Sequence, residues 1–266
     1  MINTTSAENQ SADIRLSLPV GKKITIYWGD GTSTVVTGEV SFIVYSHTYT
    51  DIGAYNLTVS GDYNDITYLV FMGDGSYGGD IRYMPDKLQI ISSMKNTFYG
   101  ELKKISRNLL SLSIEGTHNI TGGAYDFPKS LTYLNFICKN MLPGNILDFS
   151  RVLTFLRLWS SCNTGGDIAN LPDGLSYVNF STWAKINYTG KIWTTNMSFF
   201  SCSSFRPGYS FSSSEIDQLL IDFDEDLDWS GGGKIYLIGT NAPRTSASDA
   251  AVNNIVAEGG TVITNN

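Results

Sequence analysis

The chain has 266 residues, of which 42% are hydrophobic and only 16% charged, enough apolar side chain to bury a core without disulfide or metal staples. Its 26 glycines, 15 tyrosines and 13 phenylalanines favour strands and turns over long helices. A formal net charge of −7 offers no basic field to a nucleic-acid backbone or an anionic membrane surface, and so excludes those partners.

The first twenty residues carry neither the basic nor the apolar segment of a signal peptide, and none is visible. No run approaches the length of about 18 apolar residues that a membrane span needs, so membrane insertion is not expected. Cys138, Cys162 and Cys202 sit in apolar, strand-like runs without CxxC spacing and read as small core residues. Together with His47 and His118 they form no recognised zinc or triad pattern, and neither a metal nor a cofactor is expected.

From residue 13 the chain alternates. "DIRLSLP" and "KKITIYW" place apolar residues at every second position, "GDGT" interrupts them, and "VSFIVYSHTY" and "AYNLTVSG" repeat the pattern. Four short strands in sixty residues predict a small β-sandwich. The Gly29-Asp30-Gly31 turn invites a phosphate-loop or metal-loop reading, but the lysine and the following helix of a phosphate loop are missing. A structural turn accounts for it better, with Asp30 accepting from nearby amides and the glycines supplying positive φ.

These landmarks, Trp28-Gly29-Asp30-Gly31-Thr32, His47-Thr48-Tyr49, Gly53 and Tyr55, resemble a PKD-type immunoglobulin-like domain. The resemblance implies a small β-sandwich over residues 1–62 in which the aspartate turn is structural.

Beyond "SGDYND" a period near 22 residues takes over. Its anchors are Leu69, Ile91, Leu112, Leu134, Leu156, Val178 and Phe200, with steps of 22, 21, 22, 22, 22 and 22. A glycine landmark follows in most units: "GGDI" at 78, "GEL" at 100, "PGNI" at 143, "GGDI" at 165 and "TGKI" at 189. One strand, one glycine turn and one apolar return segment per unit describe a solenoid coil. The strand pattern L-x-x-L-x-L resembles a leucine-rich repeat, which implies a solenoid over residues 63–266. Lys139, Ser161 and Trp183 stand where that family has asparagines.

The C-terminal cap, about residues 206–266, departs from the repeat. "SSSEIDQLLIDFDEDL" opens with a capping box, Ser212 to Glu215, followed by Ile216, Leu219, Leu220, Phe223 and Leu227 at helical spacing. A second helix is expected in "SASDAAVNNIVAEGG", with Val252, Ile255 and Val256 inward and Gly259-Gly260 as its stop, and "KIYLIG" and "TVIT" read as closing strands. The ending is similar to those of repeat proteins of gut bacteria and their phages. The run Asp222, Asp224, Glu225, Asp226, Asp228 lacks the glycine and glutamate of a calcium loop and reads as the solvated face of the helix.

No nucleophile elbow, zinc-protease helix or dinucleotide fingerprint is present, and an enzyme is not expected. Strand alternation turns the third, fifth and seventh repeat positions outward, onto the concave face that a leucine-rich repeat implies. There Tyr133, Phe155, Tyr177 and Phe199 form an aromatic stripe, with Asn135, Arg157 and Asn179 beside it and Trp159 at its edge. These eight residues are the candidate ligand-binding set, because aromatics and arginine dominate interface energetics. Two readings stay open: a contact surface for a protein, a glycan or a second copy of the chain, or a ladder that only stabilises the strands. The expected protein is a non-catalytic adhesion or binding molecule, extracellular, at a cell surface or in a virion such as a phage tail. A structural assembly subunit and an accessory module of a carbohydrate-active system are the alternatives.

Overall fold

Alternating apolar residues become strands along most of the chain, and the fold is mostly β, with a large sheet and two α-helices among the described residues. The computed structural model describes residues 2–6, 11–51, 53–72, 76–116, 119–137, 142–159 and 162–266. Cys138, His118, Lys139 and Ser161 lie outside them. Backbone contacts divide the chain into two compact units, residues 1–122 with 136–140, and residues 123–135 with 141–266.

The first unit holds β1 (Ile2–Ser6), β2 (Ser11–Ser17), β3 (Lys23–Tyr27), β4 (Ser33–Thr37), β5 (Ile43–Thr48), β6 (Gly53–Gly61), β7 (Tyr68–Met72), β8 (Ser76–Asp80), β9 (Ile90–Glu101), β10 (Ser111–Gly116) and β11 (Asn119–Thr121). Antiparallel pairing joins β4 to β3, β3 to β6, β6 to β1 and β1 to β8, and separately joins β5 to β2 and β2 to β7. From β7 onward the ladder is parallel. The first half of β9 pairs with β7 and β10, its second half with β8 and β11. Pairing therefore crosses residue 62, the sandwich border expected from sequence, twice: through β1 to β8 and through β2 to β7.

The chain continues with β12 (Tyr133–Ile137), of which residues 133–135 belong to the second unit, and then, all in the second unit, β13 (Pro143–Asn145), β14 (Phe155–Trp159), β15 (Asn163–Asp167), β16 (Tyr177–Thr182), β17 (Ile186–Asn187), β18 (Phe199–Ser204), helix α1 (Ser213–Asp226), β19 (Lys234–Leu237), helix α2 (Asp249–Ala257) and β20 (Thr261–Thr264). β14, β16, β18, β19 and β20 pair in parallel, in the register Leu156, Val178, Phe200, Ile235, Val262. The 22-residue anchors are therefore the inward column, and Leu156, Val178, Phe200 and Ile235 are fully buried. From β14 to β18 each step of the parallel ladder joins residues one period apart, because that length returns the chain to the same height one strand over.

The glycine landmarks have a physical reason. Gly144 takes φ +153°, and a Cβ on it would sit 2.6 Å from Ala124 Cβ; Gly166 takes φ +117°, with the Asn145 side chain 3.0 Å from where its Cβ would be. Successive turns stack too closely there for a side chain. After each such glycine a 3₁₀ turn drops one apolar residue inward, as at Ile146–Asp148 and Ile168–Asn170, with the side chains of Asn145 and Asp167 accepting the amides of Leu147 and Ala169. Buried hydroxyls satisfy backbone carbonyls between rungs: Thr164 donates to the carbonyl of Leu142, and Thr182 to those of Cys162 and Thr164.

Two sequence expectations change towards the C-terminus. The "TGKI" segment predicts an inward Ile192, yet Ile192 is 77% exposed and Trp193 is buried in its place. The reason is α1: its Asp226 accepts the Trp193 amide at 2.8 Å, and the Trp193 ring meets Phe223 edge-on at 4.9 Å. In α2, Ile255 is buried as expected, but Val256 faces solvent and Ala251 is buried instead. Residues 251 and 255 lie four apart, on one helix face, which turns Val256 away.

Candidate functional site

The outward face of the second unit carries the candidate residues, and the structure brings the aromatic ones into one column. Tyr133 stacks on Phe155 with ring centroids 4.2 Å apart, Phe155 on Tyr177 at 4.3 Å and Tyr177 on Phe199 at 4.9 Å, with interplanar angles of 12°, 9° and 17°. The strand register places Phe155, Tyr177 and Phe199 directly opposite one another, at the spacing of about 4.8 Å between adjacent strands. Planar rings on consecutive rungs at that spacing stack almost face to face. All four rings are half-buried, so their faces are taken up by one another and their edges reach the surface.

A fifth ring was missed. Tyr236 lies in the neighbouring column, opposite Ser201, and leans over to stack on Phe199 at 5.4 Å and 27°. The signal was present in "KIYLIG": Ile235 and Leu237 are buried, which puts Lys234 and Tyr236 on the outward face. Reading it needed the register of β19 against β18, and no repeat length supplies that, because α1 intervenes.

The polar residues beside the stack separate. Arg157 and Asn179 are opposite one another and half-buried, next to the rings. Asn135, expected as an outward handle, is only 6% exposed and is not an accessible one. Trp159 ends β14 and is 45% exposed, the most open of the candidate set.

The Gly-Asp-Gly turn of the first unit is built otherwise. Asp30 accepts the amide of Thr32 at 3.0 Å and its hydroxyl at 2.7 Å on one oxygen, while the other meets His47 Nε2 at 2.6 Å. His47 stacks on Trp28 at 4.9 Å, Trp28 donates to Thr34 Oγ1, and the Tyr49 hydroxyl donates to the Trp28 carbonyl. Burial works against the charge of Asp30, but the Thr32 and His47 hydrogen bonds outweigh it and hold the carboxyl at about 2. Both oxygens are thus engaged by the turn itself. Gly29, at φ +91°, has the Asn56 backbone 2.8 Å from its would-be Cβ.

The acidic residues of α1 are more than a solvated face. Asp222 accepts from Gln218 at 2.6 Å and from the Tyr188 hydroxyl, and Asp226 from Trp193. Asp217 is buried and accepts from Thr245 and Ser248; burial opposes its ionisation, and those hydroxyls still hold it below the usual carboxylate range. These carboxylates fasten the helix to the loops on either side of it. Cys162 and Cys202 are buried free thiols, and burial pushes both upward from the ordinary thiol range.

Among the described residues no helix is long and apolar enough to cross a membrane. Comparison of the chain with protein-family models, curated proteins and solved structures finds no match.

Proposed function

We propose that the chain is a non-catalytic binding protein, an immunoglobulin-like sandwich of the PKD type leading into a leucine-rich-repeat solenoid, and that it engages a protein partner through the aromatic column of its second unit. Its place is outside the cell, at a bacterial surface or in a phage tail. The observation that carries this reading is the run of five rings, Tyr133, Phe155, Tyr177, Phe199 and Tyr236, stacked over consecutive strands with Arg157 and Asn179 alongside. A sugar would need open ring faces to lie on. The column spends its faces internally and presents edges, two kinds of polar side chain and the open Trp159, a mixture that suits a protein surface.

A protein and glycan array probed with the wild type and with a Tyr177→Ala, Arg157→Ala double variant tests this. The expected outcome is a protein ligand whose affinity falls at least tenfold in the double variant while the thermal melt moves little. Ligands that bind both forms equally would place the binding surface elsewhere. Concentration-dependent association of the wild type, lost in the variant, would identify the partner as a second copy of the chain.

A further inference from the structure

The first unit contains a cavity that the aromatic column does not involve. It has a volume of about 370 Å³, within the range of small-molecule pockets and well above the roughly 150 Å³ that suffices for a benzene-sized ligand. Its walls are the inward side chains of β2, β3, β6 and β7, among them Ile14, Leu16, Ile26, Leu57 and Leu69, all nearly fully buried. Ile66, Met84 and Pro85 line it as well. β2 pairs with β5 on one edge and β7 on the other, β3 pairs with β6, and inward side chains from both strand sets line the space.

The polar groups are few and placed at the margin. Tyr63 and Tyr83, 38% and 67% exposed, are the lining side chains that reach solvent most. Among the described residues the charged lining group is Asp80, a buried carboxylate that Arg82 engages through Nε at 3.0 and 2.8 Å and through a further contact from Nη2. That ion pair is complete in itself. It leaves the guanidinium committed, and among the described lining residues no cation is available to receive an anion.

We infer that this cavity is a binding site for a neutral, mainly aliphatic small molecule, with an apolar chain among Ile14, Leu16, Leu57 and Leu69 and a hydroxyl or carbonyl end beside Tyr63 and Tyr83. Burial of the chain drives binding, in proportion to the apolar area removed from water. A carboxylate entering this apolar lining would lose its water with no cation to receive it, so an alcohol is accepted and the fatty acid of equal length is refused.

The probes are 1-octanol and sodium octanoate at pH 7.5, titrated into the full chain with labelled Ile and Leu methyl groups. Octanol is expected to give saturable shifts and intermolecular NOEs to Ile14, Leu16, Leu57 and Ile66, and octanoate to bind at least tenfold more weakly. Val59→Trp, which places a large ring in the space, is expected to weaken octanol binding at least tenfold while Tyr177→Ala leaves it unchanged. Absence of NOEs to those methyls in the wild type overturns the inference, whether or not Val59→Trp folds. So does equal binding of octanoate, or undiminished octanol binding by a folded Val59→Trp. Because the site is separate from the aromatic column, failure here leaves the proposed protein-binding function standing, and the reverse also holds.

Discussion

The Trp28–Thr32 turn of the first unit and the ring column of the second are both aromatic, and they use their aromatics in opposite ways. In the turn every strong polar group is spent locally: Asp30 on Thr32 and His47, the Trp28 indole on Thr34, the Tyr49 hydroxyl on the Trp28 carbonyl. In the column the rings stack on one another face to face, and their edges stay at the surface. Hydrogen bonds are directional and saturate, so the turn closes on itself and offers a ligand little. Stacking consumes faces and leaves rims, so a structure that is stable without a partner still has a surface to give one.

The largest test of that contrast lies one residue from the column. Leu156→Ala empties space inside the coil and should cost about 2 to 5 kcal/mol in chemical denaturation. Phe155→Ala, its neighbour on the outward face, should cost about 0.5 to 1.5 kcal/mol, the worth of an aromatic pair, while lowering affinity for the protein partner. If Phe155→Ala proved the more damaging of the two to stability, the column would be core and its role as a surface would be lost.

A smaller effect is expected at the turn. Asp30→Ala removes three hydrogen bonds from a side chain that is still partly solvated, and about 1 to 2 kcal/mol is the expected loss, read by hydrogen exchange in β3, β4 and β5. Its pH signature is specific. The folded carboxyl titrates near 2, against 3.8 for an ordinary aspartate, so its contribution is complete above about pH 4 and disappears as the pH falls towards 2. In Asp30→Ala the acid sensitivity of the first unit within that window should diminish, whereas Phe155→Ala should leave it as in the wild type. An unchanged acid profile in Asp30→Ala would mean that the His47 and Thr32 contacts do not stabilise the charged form.

Much of this was legible in the residues. The anchors Leu69, Ile91 and Leu112, and Leu156, Val178 and Phe200, are register partners as their spacing requires. Ser212 and Glu215 do form the capping box of α1. Periodicity, capping and glycine turns are local: each depends on a few consecutive residues, and the same chemistry recurs in most repeats, so sequence alone sets them.

What required the tertiary structure is of another kind. Asn135 is buried although its position in the repeat points outward, Tyr236 joins a column from which α1 separates it in sequence, and Ile192 yields its inward place to Trp193 because a helix more than twenty residues later covers that coil. Nor does the sequence reveal that β2 pairs with both β5 and β7, or that inward residues of β2, β3, β6 and β7 line a common cavity. Each of these depends on which distant segments meet and on how side chains share the space between them, and no short-range pattern records that. The period fixes which residues stand on the outward face, and contacts across strands decide which of their atoms remain available there.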